Sequence, residues 1–533
     1  MKRKKSILGA ALAIALLLTA VSLPWDSAVA ASGALNLQRI ATDGNGDAMN
    51  NYAWSVYEYQ GALYVGTGRN ILYQVGVNFK ALGVIPEDFT LDALTHPNGA
   101  IGSQEWAEDM RAEIWRYKDK QWTRVYQSDV VGISGGSVQV PRVSGFRDML
   151  DFTDKNGEAA LYASNGSQLA ALSDGVSLLF KSTNGSDWSV VSTPSLGSDS
   201  RSLAVHNGYL CVGLSYALGQ SGQIWASNAP GSDETTWHKI ADFTTDGNTA
   251  VASMASFNGY LYAGTLNRET GYQVWKGQFD TNDPPQVTWT KVVENGAGDM
   301  ANVFAGTMKV FKNCLYVGSM SLPVVNGSYV PKGFELIRID NRDRWKLIVA
   351  DKKALLPPTD HEAARIPLSG WPGGFANPLN LYCWSLQEYN GTLYLGTFDS
   401  SILIVELIKQ GVSYEDLDAS LRAKLEDALK QILAQAKSYG IPLYVPALKQ
   451  ILAGYGKSTS WSKILNILTS WFCGGDLWKS TNGLSWVPVS LNGLGNPHNY
   501  GIRELIVGDS GKLYVGTANP FDGFDVFMDK SRR

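Results

Sequence analysis

The stretch Met254-Ala-Ser-Phe257, then Asn258, then Gly259-Tyr-Leu-Tyr-Ala-Gly-Thr265 decides the fold. An apolar alternation runs into Asn-Gly, and a second apolar run starts at once. Asn-Gly between two such runs is a strong hairpin signal. The second run recurs along the chain as Gly61-Ala-Leu-Tyr-Val-Gly-Thr67, Ala159-Ala-Leu-Tyr-Ala-Ser164, Gly208-Tyr-Leu-Cys-Val-Gly213, Asn313-Cys-Leu-Tyr-Val-Gly-Ser319, Gly391-Thr-Leu-Tyr-Leu-Gly-Thr397 and Gly511-Lys-Leu-Tyr-Val-Gly-Thr517. The shared leucines, at 63, 161, 210, 261, 315, 393 and 513, are 98, 49, 51, 54, 78 and 120 residues apart. A fixed period is the mark of a repeat architecture. The unit is near 50 residues, and the longer gaps carry inserts.

Each unit predicts four strands. A third piece follows the phrase as an apolar or aromatic pair, such as Ile114-Trp115, Val274-Trp275 or Val526-Phe527. A fourth begins with Trp and ends on a β-branched residue, as in Trp122 to Val125, Trp237 to Ile240 or Trp289 to Val292. The last unit lacks a fourth piece, but Leu37-Gln-Arg-Ile40 near the start resembles Trp122-Thr-Arg-Val125. The expectation is an all-β, seven-bladed β-propeller over 31–533, closed by an N-terminal strand that completes the final blade. Closure leaves only short protected edges. The fourth-strand tryptophans are expected to pack blade on blade, with each indole N–H finding a local acceptor.

Composition agrees. The 533 residues include 55 Gly, 17 Trp, 24 Tyr and 17 Phe, but 5 His and 4 Cys. Apolar residues make up 44% and charged residues 18%, which excludes a disordered chain. Lys2 to Lys5, the apolar run Ile7 to Val21 and the triplet Ala28-Val29-Ala30 predict a signal peptide over 1–30 and hence a secreted or extracytoplasmic protein. Its removal takes the formal charge from −4 to −7, because Lys2, Arg3, Lys4, Lys5 and Asp26 leave. An acidic chain without a basic run is a poor nucleic-acid binder. A monomer with no stable membrane span in the mature chain is expected.

Ser182-Thr-Asn-Gly-Ser-Asp-Trp188 and Ser480-Thr-Asn-Gly-Leu-Ser-Trp486 resemble the Asp-box turns of secreted sialidase-like propellers. They are one residue shorter, and Asn stands for Asp. The resemblance implies fold alone, since in those families the turn braces a blade far from the catalytic face. Arg365-Ile-Pro367 is similar to a sialidase signature, but it falls between blades five and six rather than near the start.

Two sets of residues are ligand-binding candidates. Asn50, Asn248, Asn302, Asn380 and Asn499 recur at one blade position, near the expected mouth of a central channel. With them come Asp47 in Gly44-Asn-Gly-Asp47, Asp299 in Gly296-Ala-Gly-Asp299, and the phrases Gly373 to Asn377 and Gly495-Asn-Pro-His-Asn499. Convergent amides suit sugar hydroxyls or a hard cation, and equally suit bonding of each Asn to its own loop. Arg147, Arg201 and Arg503 hold matching places in the first strands of blades two, three and seven. Three inner arginines could clamp a carboxylate, or each could pair with Asp148, Asp199 or Glu504.

Catalytic signals are thin. His96, His206, His238, His361 and His498 lack metal-ligand spacing, so zinc is not expected. There is no Gly-x-Ser-x-Gly elbow and no phosphate loop. No cofactor is identified, and the amides leave room for a structural cation such as calcium. Cys383 and Cys473 share blade six, while Cys211 and Cys314 suit buried thiols. Inserts are expected at 77–111 in blade one and 404–472 in blade six, rising from the asparagine-bearing face. The second predicts an amphipathic helix through Leu417, Leu421, Leu425, Leu429 and Ile432, stopped at Gly440-Ile-Pro442. These features point to an exported propeller that binds a glycan, polymer or protein. The alternative is a sialidase-like carbohydrate-active hydrolase or lyase that uses acids and arginines on the same face.

Overall fold

The computed structural model describes residues 35–74, 108–166, 178–191, 199–215, 222–231, 234–322, 324–325, 328–329, 332–359, 364–403, 405–406 and 473–531. The expected signal peptide 1–30, most of the 77–111 insert and nearly all of the 404–472 insert with its helices lie outside them. What is described is antiparallel β-structure, as the all-β reading expects, and its helices are single turns.

After β1 (Leu37–Ala41), strands β2 (Asn50–Tyr59), β3 (Ala62–Arg69), β4 (Glu113–Lys118) and β5 (Gln121–Gln127) pair in chain order. A hairpin of β6 (Val130–Ile133) and β7 (Val138–Pro141) follows. The same order repeats in β8 (Phe146–Thr153), β9 (Ala159–Asn165), β10 (Leu179–Ser182) and β11 (Ser189–Val190). It repeats again in β12 (Asp199–His206), β13 (Tyr209–Ser215), β14 (Gln223–Ser227) and β15 (His238–Asp242). Next come β16 (Ala250–Phe257), β17 (Tyr260–Leu266), β18 (Val274–Phe279) and β19 (Val287–Val293). Strands β20 (Asn302–Phe311) and β21 (Cys314–Ser321) continue, past the small hairpin β22 (Val324–Val325) and β23 (Ser328–Tyr329), to β24 (Leu336–Ile339) and β25 (Trp345–Val349). Then come β26 (Asn380–Tyr389), β27 (Thr392–Asp399), β28 (Leu477–Ser480) and β29 (Val487–Ser490). The last are β30 (Gly501–Val507), β31 (Leu513–Ala518) and β32 (Val526–Asp529). The outer neighbour of β32 is β1, with Leu37 opposite Asp529. The second strand of a group also touches the first strand of the next, as Leu266 does Phe304 and Met320 does Tyr382, and Ala518 of β31 meets Tyr52 of β2.

The glycine of the repeat phrase serves this contact between groups. A Cβ on Gly213 would lie 2.9 Å from Val251 Cγ1, and one on Gly264 2.7 Å from Ala305 Cβ. Apolar cores fill the interfaces, one of them joining Tyr262, Val274 and Val293 to Leu315, Val317 and Ile337. The two turns with Asn for Asp are tight. Asn184 Oδ1 accepts the amides of Ser186 (2.8 Å) and Asp187 (2.9 Å), and Asn482 Oδ1 those of Leu484 (2.8 Å) and Ser485 (2.7 Å). Trp188 and Trp486, which close these turns, depart from the indole expectation: their N–H groups have no acceptor among the described residues. None of the four cysteines is in a disulfide, and Cys314 is only half-buried.

Candidate functional site

The five asparagines are buried, at 0–1% exposure, and each is bonded within its own group. The Nδ2 of Asn50, Asn302, Asn380 and Asn499 donates to the carbonyl six residues upstream, on Gly44, Gly296, Gly374 and Gly493, at 3.0–3.1 Å. Each also donates to a carboxylate at the head of the third strand: Glu113, Glu335, Asp476 or Asp525. Asn248 donates instead to the Phe243 carbonyl, five residues upstream, and to the side-chain amide oxygen of Gln273. The motif is a heptapeptide from Gly44, Gly296, Gly374 and Gly493 to the Asn, so the last copy begins at Gly493 rather than Gly495. Its fourth residue, Asp47, Asp299, Asn377 or Asn496, accepts the amide two residues on. Asp47 further binds Arg69 at 2.5 Å. Burial pushes the Asp299 carboxyl up, but Lys332 at 3.6 Å and the amides of Leu355, Leu356 and Ala301 together hold it below the usual range. These residues brace loops.

The arginines behave differently. The first strands β2, β8, β12, β16, β20, β26 and β30 lie side by side in that order, and β30 lies against β2. Each has a break in register at the same level, which leaves Trp54, Arg147 with Asp148, Arg201, Ala252, Gly306, Trp384 and Arg503 outside the ladder. A bulge re-aims the unpaired side chain. The residue after it ties the bulge to the next first strand. Ser55, Ser202, Ser253 and Ser385 donate to the carbonyls of Phe146, Val251, Ala305 and Ile502. Asp148 instead accepts the Leu203 amide at 2.8 Å.

Each arginine is carried on a ring: Arg147 over Trp54 at 4.3 Å, Arg201 over Phe304 at 4.6 Å and Arg503 over Trp384 at 5.5 Å. Gly145 and Gly501 leave room for Trp54 and Trp384, and Gly306 for Tyr382. Tyr52 and Tyr500 share a hydrogen bond between their hydroxyls. The charge is poorly compensated. Arg147 Nε is 3.7 Å from Asp199, and Arg503 Nη1 is 2.7 Å from Glu504. The expected pairing with acids therefore holds for these two, and Arg201 has no ion pair among the described residues. The Nε groups of Arg147 and Arg503 have no hydrogen-bond partner among the described residues. Burial, then the like charge of Arg201, drives Arg147 down to about 9, with Asp199 opposing and Arg503 adding to the fall. Burial pushes Tyr382 up to about 12 against the pull of all three arginines. It pushes Asp148 up to about 6 and Glu504 up to about 8, the latter opposed by Arg503. Three neighbouring guanidiniums, two of them with an unpartnered Nε–H among the described residues, carry the donors that an anion site requires.

Arg365 lies elsewhere. It is buried against Glu335 and donates to the Ala297 carbonyl at 2.9 Å, which pins the chain after β25. Among the described residues, no group of three or more His, Cys, Asp or Glu could hold a metal, and no helix is long and apolar enough to cross a membrane. The aromatic partners of the arginines escaped sequence reasoning, because a bulge shifts which residue faces inward.

No protein-family model matches the chain, and no curated protein matches it. Two solved structures overlap it over 70% of its length. One is a puromycin-hydrolysing peptidase of Mycobacterium tuberculosis, at 10% identity and a TM-score of 0.33; the chain spans about half of that protein, 49%. The other is a GH43 β-xylosidase/α-arabinofuranosidase from a compost microbial metagenome, 90% covered, at 12% identity and a TM-score of 0.31.

Proposed function

We propose that the chain is an exported seven-bladed β-propeller that binds an acidic glycan in a central channel at Arg147, Arg201 and Arg503. The carrying observation is the gathering of three guanidiniums on bulged first strands, two of them with an unpartnered Nε among the described residues. Seven successive groups of strands, and the β1–β32 ladder that joins the chain's ends, support the propeller and its closure. Half-buried Trp384 and Phe398 set aromatic rings beside the cations, surroundings suited to a sugar ring bearing a carboxylate. In this reading residues 1–30 are the export signal, and the inserts 77–111 and 404–472 overhang the channel mouth and widen the surface offered to a polymer or protein. The test is a glycan array probed with residues 31–533. Binding of uronate- or sialate-bearing glycans, lost in Arg201→Met, is expected; equal binding of neutral glycans overturns the reading.

One observation favours the hydrolase or lyase alternative: Asp148 and Glu504, acids whose burial favours the protonated form, stand beside the arginines. Turnover of sialosides or uronides by the same protein, abolished in Glu504→Gln, would establish it.

A further inference from the structure

The three acids of the arginine cluster are held differently. Asp199 accepts from Ser215 Oγ at 2.9 Å as well as facing Arg147. Asp148 accepts a backbone amide. The Glu504 carboxylate has one hydrogen-bond partner among the described residues, Arg503 Nη1 at 2.7 Å. An anion that binds Arg503 competes with Glu504 for that guanidinium. A half-buried carboxylate left without its cation is driven toward its protonated form.

Resting on the anion-binding reading above, we propose that a ligand carboxylate displaces Glu504 from Arg503 and that Glu504 takes a proton from solvent in the same step. The site then binds a monoanion and a proton together. One O–H bond forms on Glu504, one ion pair replaces another, and nothing is oxidised or reduced. The groups around the exchange are Arg147 and Asp148 of β8, Asp199 and Arg201 of β12, Tyr52 of β2, Tyr382 of β26, Arg503 of β30 and Tyr500 just before it. With Glu504 neutral, ionised Asp148 and Asp199 offset two of the three guanidiniums. The single charge that remains matches a carboxylate better than a dianionic phosphate.

The sign follows from the burial of Glu504, which holds its carboxyl up to about 8 before any ligand arrives. Below that pH the proton is already present and binding is full. Above it the ligand must recruit the proton, and affinity falls by up to about tenfold per pH unit. Arg147 is held down to about 9 and titrates in the same range, so the window between the two values is read as the difference between the wild type and Glu504→Gln.

The test titrates the full chain with sodium glucuronate, followed by tryptophan fluorescence across that window. Calorimetry in buffers of different ionisation enthalpy reads the proton directly. The expected result is a several-fold fall in affinity with net proton uptake, both abolished in Glu504→Gln. Binding without a pH slope, or an equal slope and uptake in Glu504→Gln, overturns the proton coupling and leaves the anion reading standing. Tighter binding of inorganic phosphate than of glucuronate overturns the monoanion assignment. Binding of neither at any pH overturns the anion reading itself.

Discussion

The indole N–H of Trp122 donates to the carbonyl of Ile40 at 2.7 Å, across 82 residues of sequence. The same bond joins Trp289 to Ile240 at 2.7 Å and Trp237 to Val191 at 3.3 Å. In each case a tryptophan on or beside the fourth strand reaches back to the end of the preceding group's fourth strand. Ile40 takes that place for the first group, so β1 acts as a fourth strand beside β32.

Removing this bond tests whether β1 is part of the frame. Trp122→Phe keeps the ring packed and loses the donor, which is expected to cost about 1 kcal/mol in urea unfolding. Deleting residues 35–41 is expected to cost several times more, because it bares the outer edge of β32 and leaves Trp122 without its acceptor. An unchanged unfolding midpoint after the deletion would show that β1 is ornamental.

The repeat glycines carry a second prediction. In Gly213→Ala the new methyl meets Ser202 Oγ, Val251 Cγ1 at 2.9 Å and the Val251 carbonyl at 3.0 Å. Two of these three belong to the next group's first strand, so the strain falls on the interface. A loss of about 1–3 kcal/mol is expected from overpacking. Adding Ser202→Ala relieves only the hydroxyl contact and should restore less than half, as measured by chemical denaturation of the single and double variants.

The glycine and tryptophan periodicities were readable because each serves a contact that every group must make. Asn50, Asn302 and Asn380 were equally visible, yet spacing alone left their role open between ligand and loop. The third-strand acids that receive their amides, Glu113, Glu335 and Asp476, lie 63, 33 and 96 residues away and follow no period. Arg147, Arg201 and Arg503 also stood out by register. What set them apart from salt-bridged surface arginines was the ring beneath each, and that ring comes from a different group: Trp54 for Arg147, Phe304 for Arg201, Trp384 for Arg503. Neighbour relations between groups of strands are tertiary facts that no local pattern encodes.

Crowded like charges weaken a fold. Arg201 is the member of the cluster with no ion pair, and its neighbours Arg147 and Arg503 have none to spare. Arg201→Met keeps an unbranched apolar stem over Phe304 and removes one positive charge. Arg201 has no ion-pair partner among the described residues to strand, so a hydrophobe of similar length removes a like charge without baring an acid. The melting temperature is therefore expected to rise, and to rise more at low salt than at high salt. A fall at both would mean that Arg201 holds the bulge in place and is structural.

His498 links two distant segments and gives the chain a pH dependence of its own. Its Nδ1 is 2.7 Å from Asp522, in the turn between β31 and β32, and its Nε2 is 3.6 Å from Glu406, in the segment expected to open the blade-six insert. The Phe521 ring lies 4.8 Å away. Hydrogen bonding to Asp522 and then Glu406 raises the imidazole to about 9 against the effect of burial. A histidine raised in the folded state contributes its full stability below the unfolded value of about 6.5 and loses it as pH rises through the folded value. The ring is 31% exposed, so solvent screening keeps the contribution to about 1 kcal/mol or less. Melting temperatures should thus decline between about pH 6.5 and pH 9 in the wild type and stay flatter in His498→Gln. The two curves should meet at the alkaline end, where the wild-type imidazole is neutral. A constant offset between them across the whole range would assign His498 a packing role against Phe521 and remove the ionic one.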